Sequence, residues 1–112
     1  MLKEDILRKC KENDDLYIDN DKEYYFCVGA TLRGLKKCSK EFIKIENSLM
    51  NCNSVENFDT IFKNYAKKCI ITGIENYFKE GSQERKIFAA CYTYKPSKLD
   101  LDSFLQGFMV IM

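Results

Sequence analysis

The residues able to do acid–base, nucleophilic or metal chemistry are few in this sequence and badly spaced for it. There is no histidine, which removes the commonest general base, the usual zinc partner of cysteine, and the Cys-His and Ser-His nucleophile pairs. Six cysteines (Cys10, Cys27, Cys38, Cys52, Cys69, Cys91) occur at intervals of eleven residues or more, whereas a four-cysteine zinc site needs paired short spacings. An acidic group, Asp15, Asp19, Asp21 and Glu23, resembles a calcium loop only in composition. The loop glycine is missing, and the twelfth position counted from Asp19 is Ala30 rather than glutamate. It reads as a solvated loop entering a helix N-terminus, where negative charge is stabilising. The five glycines form neither G-x-G-x-x-G nor a lysine-terminated phosphate loop. Chemistry by this chain alone is therefore not expected, and neither is a cofactor or a bound metal.

What remains is charge. Between Arg33 and Lys44 lie five basic residues (Arg33, Lys36, Lys37, Lys40, Lys44) and one acid, Glu41, with Lys63, Lys67 and Lys68 further on, and later Arg85 and Lys86. Such a stretch is either an ordinary solvated surface or a surface that follows a nucleic-acid backbone by displacing its counterions, with Phe26 or a tyrosine as a stacking face. The formal net charge of +1 is low for a free-standing nucleic-acid binder.

The elements that must position these residues are helical. One proline and five glycines in 112 residues leave few breaks, and the length fits one domain spanning 1–112. Leu2, Ile6 and Cys10 share one side of a first helix. Asn20 caps a second, with Glu23 placed to reach back in a capping box. Tyr24, Val28, Leu32 and Leu35 give that helix a core face, opposite Phe26, Arg33, Lys37 and Lys40. Gly29 and Gly34 mark either close approach of a neighbouring backbone or simple tolerance, with tolerance favoured. Phe42, Ile45 and Leu49 define a third helix. Asn53 with Glu56 caps a fourth, carrying Val55, Phe58, Phe62, Tyr65 and Cys69, and Ile70 to Lys79 continues helically after or across Thr72-Gly73, with Ile70, Ile74, Tyr77 and Phe78 inward. Ser82 opens a helix over Gln83 to Tyr94, and Asp100 or Asp102 caps a last one with Phe104, Leu105, Phe108 and Met109. The expected fold is all-α, a compact bundle of five to seven helices. Several cysteines fall on apolar faces, as reduced thiols do. The polar N-terminus shows no signal peptide and no apolar run is long enough to span a bilayer, so a cytoplasmic location and no membrane partner are expected.

The segment EYYFCVGATLRGLKKCSK (Glu23 to Lys40), then SLMNCNSVENFDTIFKNY, KIFAACYTYKP (Lys86 to Pro96) and DSFLQGFM (Asp102 to Met109), resembles the C-terminal region of the large subunit of type I-B CRISPR interference complexes. In such systems that region is also made as a separate small subunit. The likeness covers roughly Asp21 to Met109. It departs at Ala30 and Arg33-Gly34, and over Lys67 to Gln83, which is longer than the family pattern. The resemblance implies a non-catalytic small subunit of a Cascade-type, crRNA-guided complex. Its partners would be the CRISPR backbone and large subunits, crRNA and target DNA through backbone contacts, and other copies of itself. On this reading Arg33, Lys36, Lys37, Lys40, Lys44, Lys63, Lys67 and Lys68 form the nucleic-acid surface. The alternative is a helical adaptor or inhibitor that binds a protein through an apolar face, anchored by Phe26, Tyr92 or Tyr94.

Overall fold

Helix boundaries follow from side chains that satisfy the backbone groups a helix end leaves open. The computed structural model describes residues 2–35 and 41–110. Six α-helices occur among them: α1 (Leu2–Glu12), α2 (Asp21–Leu35), α3 (Phe42–Met50), α4 (Val55–Ile71), α5 (Gln83–Thr93) and α6 (Leu101–Phe108), with a 3-10 turn at Ile74–Asn76. The bundle is all-α as the patterning predicts. Asn20 Oδ1 accepts the Glu23 N–H at 3.0 Å, Ser82 Oγ accepts the Arg85 N–H, and Asp100 Oδ1 accepts the Ser103 N–H at 3.0 Å. Each satisfies one of the open N–H groups of a first turn.

Three local expectations are corrected. The cap of α4 is Ser54, whose hydroxyl accepts the Asn57 N–H, one residue later than Asn53. Glu23 does not close a capping box on Asn20. Its carboxylate accepts the Asp19 N–H and the Lys9 ammonium instead. And α4 does not run through Gly73, which has φ +92°, a left-handed conformation that stops the helix. Ile74 and Phe78 beyond it are buried as expected, but Ile70 before it is exposed, as is Met109 just after α6.

The larger correction concerns α2. It is not two-faced. Glu23 to Gly29 are all buried, as are Thr31, Leu32 and Leu35, so α2 is the central helix, with α1, α3, α5 and α6 packed on it. Its most extensive partner is α6, and the reason is two glycines. A Cβ placed on Gly107 would sit against the Phe26 carbonyl oxygen, and one on Gly29 would meet the Phe104 carbonyl oxygen and, at 2.5 Å, the Phe108 nitrogen. Gly29 is therefore a close-approach residue rather than a tolerated one. Phe26, expected outside, is 2% exposed beneath α6.

Aromatic rings carry the core from α2 to α4 and α6. Tyr25 packs edge-on against Phe58 with centroids 4.9 Å apart, and Phe58 against Phe104 at 5.5 Å. Tyr24 meets Phe62 and Tyr94, and its hydroxyl donates to Asp59 Oδ1 at 2.8 Å. The hydroxyl of Tyr25 is buried without a hydrogen-bond partner among the described residues. A buried, unpaired O–H is destabilising. Tyr25→Phe is accordingly expected to leave stability unchanged or raise it by up to about 1 kcal/mol, measured from urea midpoints at constant m. A clear loss would show that the hydroxyl holds a partner.

Candidate nucleic-acid interface

The acidic group enters the N-terminus of α2 as expected, with Asp15 and Asp19 exposed and Asp21 and Glu23 in the first turn, but Asp21 also closes a clasp. Asp21 accepts hydrogen bonds from the Tyr94 hydroxyl (2.8 Å) and the backbone N–H groups of Ser97 and Lys98. Burial alone would raise its pKa, but the Ser97, Tyr94 and Lys98 donors outweigh it and hold the carboxyl below its ordinary value. The clasp fixes the α5–α6 connection on the start of α2, and this is what seats α6. Tyr94 is thereby committed to the fold, and Tyr92 stacks on Phe88 with planes 4° apart. Neither ring is a free anchor.

The basic residues divide sharply. Lys36, Lys37 and Lys40, together with Cys38, lie outside the described residues. Arg33 is half-buried on the last turn of α2, with no ion pair or hydrogen bond among the described residues. Lys63 is a structural cation and leaves the predicted surface. Its ammonium donates to Asp59 at 2.7 Å and to the Tyr94 carbonyl at 2.9 Å, and lies over the Tyr24 ring at 5.0 Å. Lys86 is similarly engaged, with both the Cys10 and Asn13 carbonyls at 3.0 Å, where it stops the carbonyl end of α1. Lys44, Lys67 and Lys68 are exposed or half-exposed.

Lys44 and Lys68 share one place. Helices α3 and α4 form a hairpin joined through Asn51–Ser54, and their facing sides enclose a groove of about 390 Å³. Glu41, Lys44, Ile45 and Ser48 line one wall, and Ile61, Asn64, Tyr65 and Lys68 the other. Ile45 and Tyr65 are buried at its base, while Lys44, Ser48, Asn64 and Lys68 stand at its rim. Lys68 reaches Glu41 only at 4.0 Å, with both side chains more than half exposed, an ion pair that contributes little. Two ammonium groups on opposite walls favour an anion there, against the single Glu41 carboxylate on the α3 side, and Lys67 is exposed next to Lys68 in the chain. Position near the end of α4 also favours Lys67 and Lys68 through the helix dipole, so their charge has a structural use as well. Sequence spacing singles out the lysines but not Ser48, Asn64 or Tyr65. The one sequence signal for these is that Asn64 and Lys68 stand one helical turn apart.

Among the described residues no cysteine is poised as a nucleophile. Burial pushes the thiols of Cys10, Cys27, Cys52 and Cys69 up, and that of Cys91 to about 12, keeping them protonated at neutral pH and unreactive. Four of the five described cysteines are buried. No group of three metal-ligating side chains occurs among the described residues, and no helix among them is long and apolar enough to cross a membrane. Compared with known protein families, curated proteins and solved structures, the chain finds no match.

Proposed function

We propose that the chain is a non-catalytic small subunit of a type I-B CRISPR surveillance complex, acting in the cytoplasm, where it contacts the backbone of guide–target nucleic acid and helps hold the displaced DNA strand. The sequence resemblance supports the family. The observation that carries the contact role is the solvent-facing lysine set of the α3–α4 hairpin, Lys44, Lys67 and Lys68, of which Lys68 makes only a long, exposed ion pair with Glu41. Arg33 and the sequence-predicted Lys36, Lys37 and Lys40 belong to the same proposed contact set. In such a complex base pairing reads the sequence, so the subunit needs only shape and charge. Several weak contacts on one scaffold gain by effective concentration, which suits a chain with a net charge of +1. Its partners in this reading are the backbone and large subunits, crRNA, target DNA and further copies of itself.

The test is target-DNA binding by the assembled complex carrying Lys44→Ala/Lys67→Ala/Lys68→Ala. Binding should weaken about tenfold at moderate salt, and the slope of log affinity against log salt should fall by about 0.7 to 0.9 for each phosphate no longer neutralised. Binding and slope equal to wild type, in this variant and in Arg33→Ala/Lys37→Ala/Lys40→Ala, would sink the assignment. A second reading, a protein-binding adaptor, draws on Ile70 and Ile71, which are 42% and 73% exposed at the end of α4. It predicts salt-insensitive capture of one protein partner without crRNA in a native pull-down.

A further inference from the structure

The α3–α4 groove has a floor as well as a charged rim, and the floor is the wrong surface for a phosphate. Ile45, Ile61 and Tyr65 line it, giving an apolar slot flanked by Lys44 and Lys68, with the exposed Glu41 carboxylate 4.0 Å from Lys68 as the one acid a phosphate would have to displace. Neutral hydrogen-bonding side chains, Ser48 on α3 and Asn64 on α4, stand at its edges. A hydroxyl and a carboxamide together offer both donors and acceptors, as the edge of a nucleobase requires. At about 390 Å³ the groove falls at the small end of the roughly 300–1,000 Å³ typical of ligand sites, matching one nucleotide rather than a base pair. A purely electrostatic backbone contact would need the two lysines but not the slot.

We propose that this groove seats one unstacked nucleotide of single-stranded DNA, its base against Ile45 and Ile61 with Ser48 and Asn64 at the base edge, and its phosphate held by Lys44 and Lys68. The inference rests on the nucleic-acid reading above and makes it more specific. The hairpin distinguishes a displaced single strand from a duplex, because paired bases cannot enter the slot. Base identity matters little, since apolar contact with a base face is shared by all four.

Methyl NMR of the isoleucines in the full chain tests it, with a pentathymidylate and the same backbone carrying abasic residues as the two probes, each taken to millimolar concentration. The intact oligonucleotide should shift the Ile45 and Ile61 methyl signals through the ring current of the base. The abasic strand should bind roughly tenfold more weakly and leave those two signals in place. Ser48→Trp, a change at an exposed position that fills the slot, should abolish the difference between the two probes. Equal binding of both probes would overturn the base seat and leave the backbone-contact reading standing. Failure of the pentathymidylate to shift Ile45 or Ile61 at millimolar concentration also overturns the base seat. Only the absence of any lysine dependence in the assembled complex would overturn the wider reading.

Discussion

Gly107→Ala should be the most damaging single methyl group that can be added to this protein. The new Cβ would fall on the Phe26 carbonyl oxygen, and the Phe26 carbonyl carbon would lie 2.7 Å away. Both are backbone atoms of the central helix, so no side chain can swing aside. Over-packing typically costs about 1–3 kcal/mol when side chains can adjust. Here α6 must move off α2 as a body, and a loss of at least about 3 kcal/mol is expected, or about 10–15 °C in Tm for a domain of this size. Gly29→Ala should behave alike from the other side of the same seam. Gly34→Ala is the control, because its Cβ would meet only the edge of the Phe78 ring at 3.1 Å. The gain in helix propensity, about 1 kcal/mol, offsets that pressure and the net change should stay within about 1 kcal/mol. Thermal unfolding of the three variants decides the matter. A Gly107→Ala protein as stable as wild type would mean that α6 does not lie on α2 in this way.

The second large effect belongs to Lys9. Its ammonium is shared between Asp19 Oδ2 and Glu23 Oε1, both at 2.7 Å. The Lys9 and Glu23 side chains are only 12% and 7% exposed. Removing one partner of a buried pair leaves the other charge without compensation, at a cost of about 3–5 kcal/mol. Lys9→Met should cost about 3 kcal/mol, at the low end of that range, because the Asp19 N–H still donates to Glu23. Lys9→Met/Glu23→Gln should recover part of the loss, since no buried charge is then stranded. The pair also has a pH signature. Burial on its own lowers the Lys9 pKa, but the hydrogen bonds and charges of Asp19 and Glu23 more than reverse this, so it stands above its ordinary value. A raised lysine pKa contributes stability that is fully present below the unfolded value of about 10.4 and is lost as pH rises through the folded value. The stability difference between wild type and Lys9→Met should be constant from neutrality to about pH 9 and shrink above about pH 10.4. Urea midpoints across that range measure it directly.

Helix positions were legible because their signals are local. Asn20, Ser82 and Asp100 act through hydrogen bonds spanning three residues, and the spacing of Phe58, Phe62, Tyr65 and Cys69 describes one face of one helix. The fourth cap was misplaced by one residue because Asn53 and Ser54 are both good caps and only the backbone geometry chooses between them. The sidedness of α2 was not legible from its periodicity, since a stripe of Tyr24, Val28, Leu32 and Leu35 exists whether or not the other side is covered. A better signal was present in composition. Tyr24 to Leu32 contains no charged residue in nine positions, and a helix that is apolar or small all round is a buried one.

The candidate site was half legible for a related reason. Sequence identifies lysines but not their commitments. Lys63 and Lys68 look alike in the chain, yet one is held by Asp59 and Tyr94 across a distance of thirty-one residues and the other is largely solvent-exposed at a groove. The groove itself arises only when α3 folds back along α4.

The seating of α6 on α2 also sets an order of events during synthesis. Residues Tyr24 to Gly29 have emerged well before Leu101 does, and at about 5–20 residues per second the interval from Leu35 to Leu101 lasts roughly 3–13 s. Through that time one flank of the central helix, with Phe26 on it, has no native cover. Tyr94, Pro96 and Ser97 emerge just before α6, so the Asp21 clasp can form first and deliver the last helix to its seam. The nascent chain is thus most exposed to association with its neighbours late in translation, and the clasp shortens that period at its end.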